Sequence, residues 1–238
     1  MDYHIETAEV LDAFKEESEC PFCLIREKLD ASFTDTYLGG AAMSPDYRVE
    51  VNKKGFCARH FKQLYDGGKR LPLALQLHTF LLEHNKKTLK QLEALSKSAQ
   101  KDKKLSAQID EFIKFQAAGE CSCVICEKQA ELMQRYMDTA LLLRTKSLEF
   151  KELFRNGKGF CEPHFSQLLA RAQVCLSAKE KSAFIYEVVQ IQARSLERLA
   201  GEVEWFTKKF DYQNKDKPWG GAQDSIPRSI NKLKGKII

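Results

Sequence analysis

The chain has 238 residues, 43% of them hydrophobic and 30% charged, ordinary values for a soluble globular protein long enough to bury a core. Its formal net charge of +5 falls short of the density of a dedicated nucleic-acid binder. The longest apolar runs, such as LPLALQL, stop far short of the roughly 18 residues that a membrane span requires.

The N-terminal stretch MDYHIETAEVLDAFKEE is acidic and amphipathic, which fits a surface helix and not an export signal. Eight cysteines without such a signal point to a reducing, cytoplasmic setting, where clustered thiols bind metal or do redox chemistry. The first pair, Cys20-Pro-Phe-Cys23, opens LIREKLDASFTDTYL, where Leu24, Leu29, Phe33 and Tyr37 fall near one helical face. Gly39-Gly40 breaks that helix. KGFCARHFKQL then carries Cys57 and His60, and Asp66-Gly67-Gly68 marks a second break. A long amphipathic segment, LALQLHTFLLEHNKKTLKQLEAL, follows, and the polar run SKSAQKDKK (96–104) reads as a connection.

Much the same order then returns. IDEFIKF precedes Cys123-Val-Ile-Cys126, EKQAELMQRYMDTALLL follows it as a helix, and Asn156-Gly157-Lys158-Gly159 breaks the chain. KGFCEPHFSQL, identical to its earlier counterpart at eight of eleven positions, supplies Cys161 and His164 before another long amphipathic segment. The pairs are offset by 103 and 104 residues. This register predicts an internal duplication, with halves at 1–100 and 101–212 and a tail at 213–238. No alternating strand is evident, so the expected fold is all-α: a pseudo-twofold helical bundle of about four helices per half.

A CxxC offers two thiolates from one turn and a CxxH adds a sulfur and a nitrogen, which together make the Cys3His set that a tetrahedral zinc ion prefers. The expected grouping is sequential. Cys20, Cys23, Cys57 and His60 close one site in the first half, while Cys123, Cys126, Cys161 and His164 close the other in the second. Each pair opens a helix, where free backbone N–H groups and the dipole favour the anionic thiolates. The glycine of each KGFC lets the backbone turn into the ligands, and Phe56, Phe61, Phe160 and Phe165 shield them. Two zinc ions per chain are expected, with an iron–sulfur cluster as the second choice.

Other candidates rank lower. Cys121 lies close enough to the second quartet to compete as a ligand or act as an exchangeable thiol, although it reads first as a spare cysteine near the site, and Cys175 reads as a small core residue. His78 and His84, six residues apart, do not share a helical face, and His4 sits in a terminal segment. In the tail, Lys217-Pro-Trp-Gly-Gly ends any helix, Trp219 is expected to dock, and Ile226-Pro227 opens a short basic helix through Ile230 and Leu233. That tail reads as a latch across the bundle.

The twice-used CxxC…GFCxxH pattern, followed by KPWG and a downstream Arg228, resembles a family of uncharacterised prokaryotic proteins known as a domain of unknown function. The resemblance runs from Cys20 to about Leu233. It implies a soluble bacterial or archaeal metal-binding protein and brings no established activity. Classical DNA-reading fingers differ, because gaps of 33 and 34 residues between the ligand pairs exceed their short loops.

Four protein ligands leave a metal no open position for water, and the chain has no phosphate loop, nucleophile elbow or HExxH. The sequence therefore points to a structural or protein-interaction module, with a protein partner or self-association. A zinc–thiolate redox sensor or thiol enzyme using Cys121 is the alternative. Nucleic acid is weakly supported by the basic tail, and no membrane partner is expected.

Overall fold

The computed structural model describes residues 6–101, 104–120 and 122–236. The described residues form helices and turns without a strand, so the chain is all-α. The helices are α1 (Thr7–Lys15), α2 (Pro21–Tyr37), α3 (Pro45–Lys54), α4 (Ala58–Asp66), α5 (Arg70–Lys101), α6 (Leu105–Glu120), α7 (Val124–Lys146), α8 (Leu148–Asn156), α9 (Glu162–Cys175), α10 (Ala178–Lys208) and α11 (Ser225–Lys234).

The glycine breaks fall where local chemistry puts them: α2, α4 and α8 all end at or just before them. Helices α3 and α8 raise the number per half above the four expected. Pro45 at the first turn starts α3, which buries only Val51, so periodicity gave little sign of it. Ser147 caps α8 by accepting from the Phe150 backbone N–H, and Phe150 and Phe154 face inward. Residues 96–101 of the polar run at 96–104 are helical, since α5 continues through Lys101, and residues 102 and 103 lie outside the described residues. No Gly or Pro interrupts it, and Glu93–Lys97 adds an i,i+4 ion pair.

The chain divides into two compact units that do not coincide with the expected halves. One comprises Met1–Lys28 and Glu131–Ile238, and the other Leu29–Ala130. Both divisions fall inside helices, at residue 28 of α2 and residue 130 of α7.

In the first unit, α1, α8, α9, α10 and α11 pack around the rings of Phe14, Phe22, Phe150, Phe154, Phe160 and Phe184. The tail belongs to this unit. Trp219 packs on Phe206 with ring centres 5.4 Å apart, and Trp205 Nε1 donates to the Pro218 carbonyl at 3.1 Å. From α11, Arg228 reaches Glu19 and Glu202, while Lys232, 1% exposed, donates to the carbonyls of Glu19 and Lys158. Burial pushes the Lys232 ammonium below its ordinary pKa and Glu19 opposes that shift.

In the second unit, α3 and α4 pack on α5, and Tyr37, Leu38, Val51, Phe56, Leu64 and Leu73 join Val124 and Ile125 in one core.

Candidate metal centres

Both glycines of the KGFC segments have left-handed backbone, with φ of 65° at Gly55 and 77° at Gly159. A Cβ at Gly55 would stand 2.8 Å from the Phe80 ring, and one at Gly159 would stand 2.8 Å from Gln192 Oε1. The turn delivers Cys57 and Cys161 to the N-cap positions of α4 and α9, so His60 and His164 project from the first helical turn beside them. Each segment is then fixed by its own unit. Buried Gln192 accepts from the Phe160 N–H and donates to the Phe160 carbonyl, whereas the Gly55 carbonyl accepts from the Val124 N–H at 3.1 Å.

All eight expected ligands lie in two quartets, but the grouping is crossed. Cys20 and Cys23 meet Cys161 and His164, and Cys57 and His60 meet Cys123 and Cys126. The sequential grouping is therefore corrected: neither half of the sequence closes a site by itself. The helix after each CxxC carries the chain from one compact unit into the other. Helix α2 has 17 residues, which extend about 25 Å. Its last residue, Tyr37, packs its ring 5.3 Å from that of Phe56, so Cys57 follows at the helix's far end. Helix α7 repeats the geometry with 23 residues and roughly 34 Å. Near its end, Arg144 lies 5.9 Å from the Phe154 ring, which in turn lies 5.6 Å from that of Phe160. The two pairs that adjoin in sequence thus belong to different compact units.

The quartets have the dimensions of a single coordination sphere. In the first, His164 Nδ1 stands 3.4, 3.5 and 3.2 Å from the sulfurs of Cys20, Cys23 and Cys161, and Cys23 and Cys161 are 3.6 Å apart. In the second, His60 Nδ1 stands 3.4, 3.2 and 3.4 Å from Cys57, Cys123 and Cys126, with Cys57 and Cys126 3.7 Å apart. Metal–sulfur bonds of about 2.3 Å and a metal–nitrogen bond of about 2.05 Å give tetrahedral edges near 3.8 and 3.5 Å. The residues fit one tetrahedral ion per quartet.

The electrostatics fit as well. The Cys161 and Cys20 thiols, by hydrogen bonding, hold Cys23 far below the ordinary thiol pKa, while burial pushes Cys20 well above it. In the other quartet, burial opposes ionisation of Cys123, yet His60 and the backbone N–H groups of Cys126 and Cys57 bring it down to about 6. Burial and the neighbouring Cys123 push Cys126 up to about 12. Crowded thiols cannot all ionise unaided, and a cation among them removes that conflict.

The surroundings of the two histidines differ. The outer edge of His60 is held by Asp30, whose Oδ1 lies 3.1 Å from Nε2. Asp30 also accepts from Arg59 at 2.6 Å and from Gln129 at 2.9 Å. Burial opposes its charge, but these donors bring its pKa down to about 2. With Nδ1 given to a metal, His60 Nε2 carries the hydrogen and Asp30 is its acceptor, the arrangement that orients metal-bound histidines. His164 instead sets its ring edgewise on Phe22, 6.0 Å away, and Pro163 occupies the place of Arg59. Asp30→Asn should therefore weaken metal binding about 10–100-fold at the Cys57 quartet and leave the Cys20 quartet unchanged. Competition with a chromophoric chelator, read as two separate steps, checks this. The Asp30 contact escaped sequence reading because Asp30 lies 30 residues before His60 and no spacing links them.

Exposure differs too: the Cys20 quartet is wholly buried, whereas Cys57 and Cys126 are partly exposed. Cys20 and Cys23 border a cavity of about 600 Å³ whose wall includes Glu19, Arg198, Glu202 and Arg228. Those four side chains are bonded to one another.

Of the lesser candidates, Cys175 is exposed and not a core residue. It ends α9 and lies 3.2 Å from Asp138, beside Arg171. His84 stacks on Phe80 and bonds Thr88, and His78 is exposed; neither belongs to a quartet. Cys121 and His4 lie outside the described residues.

An all-α chain with two Cys3His quartets is thus capable of binding metal at two sites. The model of a family described as a "family of unknown function (DUF6062)" matches residues 1–238, and the chain belongs to that family. It is similar to an "Uncharacterized 23.9 kDa protein in xynA 3'region" of Caldicellulosiruptor sp. (strain Rt8B.4), with 23% identity over 207 residues, 86% of this chain and 88% of that protein. No solved structure matches the chain. Among the described residues no helix is long and apolar enough to cross a membrane.

Proposed function

We propose that each quartet holds one zinc ion as a structural staple and that the protein is a zinc-stapled helical module that works by binding another protein chain. The carrying observation is the pair of quartets, each with its four ligand atoms within 4.8 Å of one another. A four-iron cluster spreads its cysteines over different irons, so this spacing favours a single ion, and three sulfurs with one imidazole favour zinc. All four positions are filled by protein, which leaves no place for a reacting water and supports a structural role. In this reading the halves at 1–100 and 101–212 are duplicated repeats that exchange ligand pairs. The need for free thiolates supports a reducing, cytoplasmic setting.

Elemental analysis of protein purified under reducing conditions should give two zinc atoms per chain. A metal-free yet folded preparation overturns the reading. A second reading, a zinc–thiolate sensor, is favoured by the partial exposure of Cys57 and Cys126. It requires peroxide to release zinc from that quartet and reductant to restore it.

A further inference from the structure

We propose that Lys232 of α11 is a positioning residue for the Cys20 quartet, so that the C-terminal tail governs how firmly that quartet holds its ion. This rests on the metal reading above and adds to it a residue outside the ligand set.

A buried lysine is uncommon, because taking an ammonium out of water is costly unless its hydrogens find acceptors. Lys232 is buried, and its bonds account for its position. Its Nζ donates to the Glu19 carbonyl at 2.9 Å and to the Lys158 carbonyl, with the Glu19 carboxylate 3.7 Å away. Glu19 immediately precedes Cys20, and Lys158 opens the turn Lys158-Gly159-Phe160-Cys161. One ammonium therefore ties together the two chain segments that bring the quartet its ligands. A second link between them, Lys158 with Glu17, lies at the surface and is weakened by water.

The tie belongs to one quartet. Lys232 Nζ stands 3.5 Å from the Cβ position of Gly159, whereas Gly55, the counterpart glycine of the other quartet, has the Phe80 ring beside it. Helix α11 is anchored on the same segment. Arg228 donates to the carboxylates of Glu19 and Glu202 at 3.1 and 2.7 Å, and Arg198 holds Glu19 at 2.7 Å. At the end of the helix, Arg26 donates to the Lys236 carbonyl at 3.0 Å.

Charge points the same way. A divalent ion with three thiolates and a neutral imidazole carries net negative charge, and a buried anion is stabilised by a cation beside it. Burial disfavours the charged form of Lys232, and Glu19, Cys20 and Cys161 favour it.

Cadmium NMR on the full-length, cadmium-loaded protein tests this, with Lys232→Met as the variant. The wild-type chain should give two resonances, and Asp30→Asn, which acts on His60, marks the one from the Cys57 quartet. Lys232→Met should shift the other resonance and leave the marked one in place. A chromophoric chelator should also take zinc from the Cys20 quartet at least about tenfold faster. Loss of packing alone would lower thermal stability without moving one resonance selectively. Leu233→Gln, on an exposed leucine of the same helix, is the control and should leave both resonances in place. If Lys232→Met does not fold, lysine acetylation read by mass spectrometry gives the answer in the wild-type chain. Lys232 should be protected while the Cys20 quartet is loaded and labelled once that ion is removed, with exposed Lys234 labelled throughout. Resonances unmoved by Lys232→Met, or a Lys232 still protected after that ion is gone, overturn the proposal. A wild-type chain that binds no ion overturns the metal reading and this proposal with it, so the two failures are distinct.

Discussion

Replacing Cys20 and Cys161 together by serine should leave one metal equivalent per chain, whereas replacing Cys20 and Cys57 together should leave none. The first pair of changes damages a single quartet and the second damages both. Sequential grouping demands the opposite: Cys20 with Cys57 would then spare a site and Cys20 with Cys161 would abolish both. The contrast is between one ion and none, so it does not depend on a fine difference in affinity. Metal analysis after exhaustive dialysis reads it directly. Thermal unfolding gives a second readout, because two substitutions in one quartet remove the same ion and their costs should fall well short of additive, whereas substitutions in different quartets should add.

Stripping both ions with a strong chelator should abolish cooperative folding of the Leu29–Ala130 unit. The apparent binding free energy of a structural zinc site is about 10–16 kcal/mol, as large as the whole stability of a typical domain, about 5–15 kcal/mol. This unit has little to replace it. Its core is centred on Tyr37, Phe56, Leu64 and Leu73, Cys57 and Cys126 are partly exposed, and residues 77–100 of α5 and 105–117 of α6 contribute no buried side chain. The other unit keeps its cluster of six phenylalanine rings and the buried contacts of Lys232 and Gln192. Hydrogen exchange during titration with chelator should therefore show amides of α3, α4 and α5 losing protection before those of α9 and α10. Equal protection with and without metal would remove the staples from the account. Acid acts in the same direction as chelator. Bound metal keeps the thiols and imidazole deprotonated, so the stability it provides is present at neutral and higher pH and is lost as falling pH returns protons to them.

The crossed grouping also leaves each of the long helices α2 and α7 shared between the two units. Helices α2 and α7 each begin with the CxxC of one quartet and contain the division between the units. Asp30, which orients His60 of one quartet, sits on the same helix as Cys23 of the other.

Local chemistry carried most of what the sequence determined by itself. Helical periodicity, glycine breaks and the absence of alternating strands specified an all-α chain, because these properties are decided within a turn or two. The eight quartet residues were legible because CxxC and CxxH each place two donors on one turn, and the KGFC glycine was legible because a left-handed turn excludes other side chains. Which pair meets which was not legible. Spacings of 33 and 34 residues suit either grouping, and the choice depends on α2 and α7 each carrying the chain from one compact unit into the other. Only tertiary packing decides that, as it decides that Asp30 stands behind His60 and that Cys175 lies at the surface, because such contacts join residues that no local pattern connects.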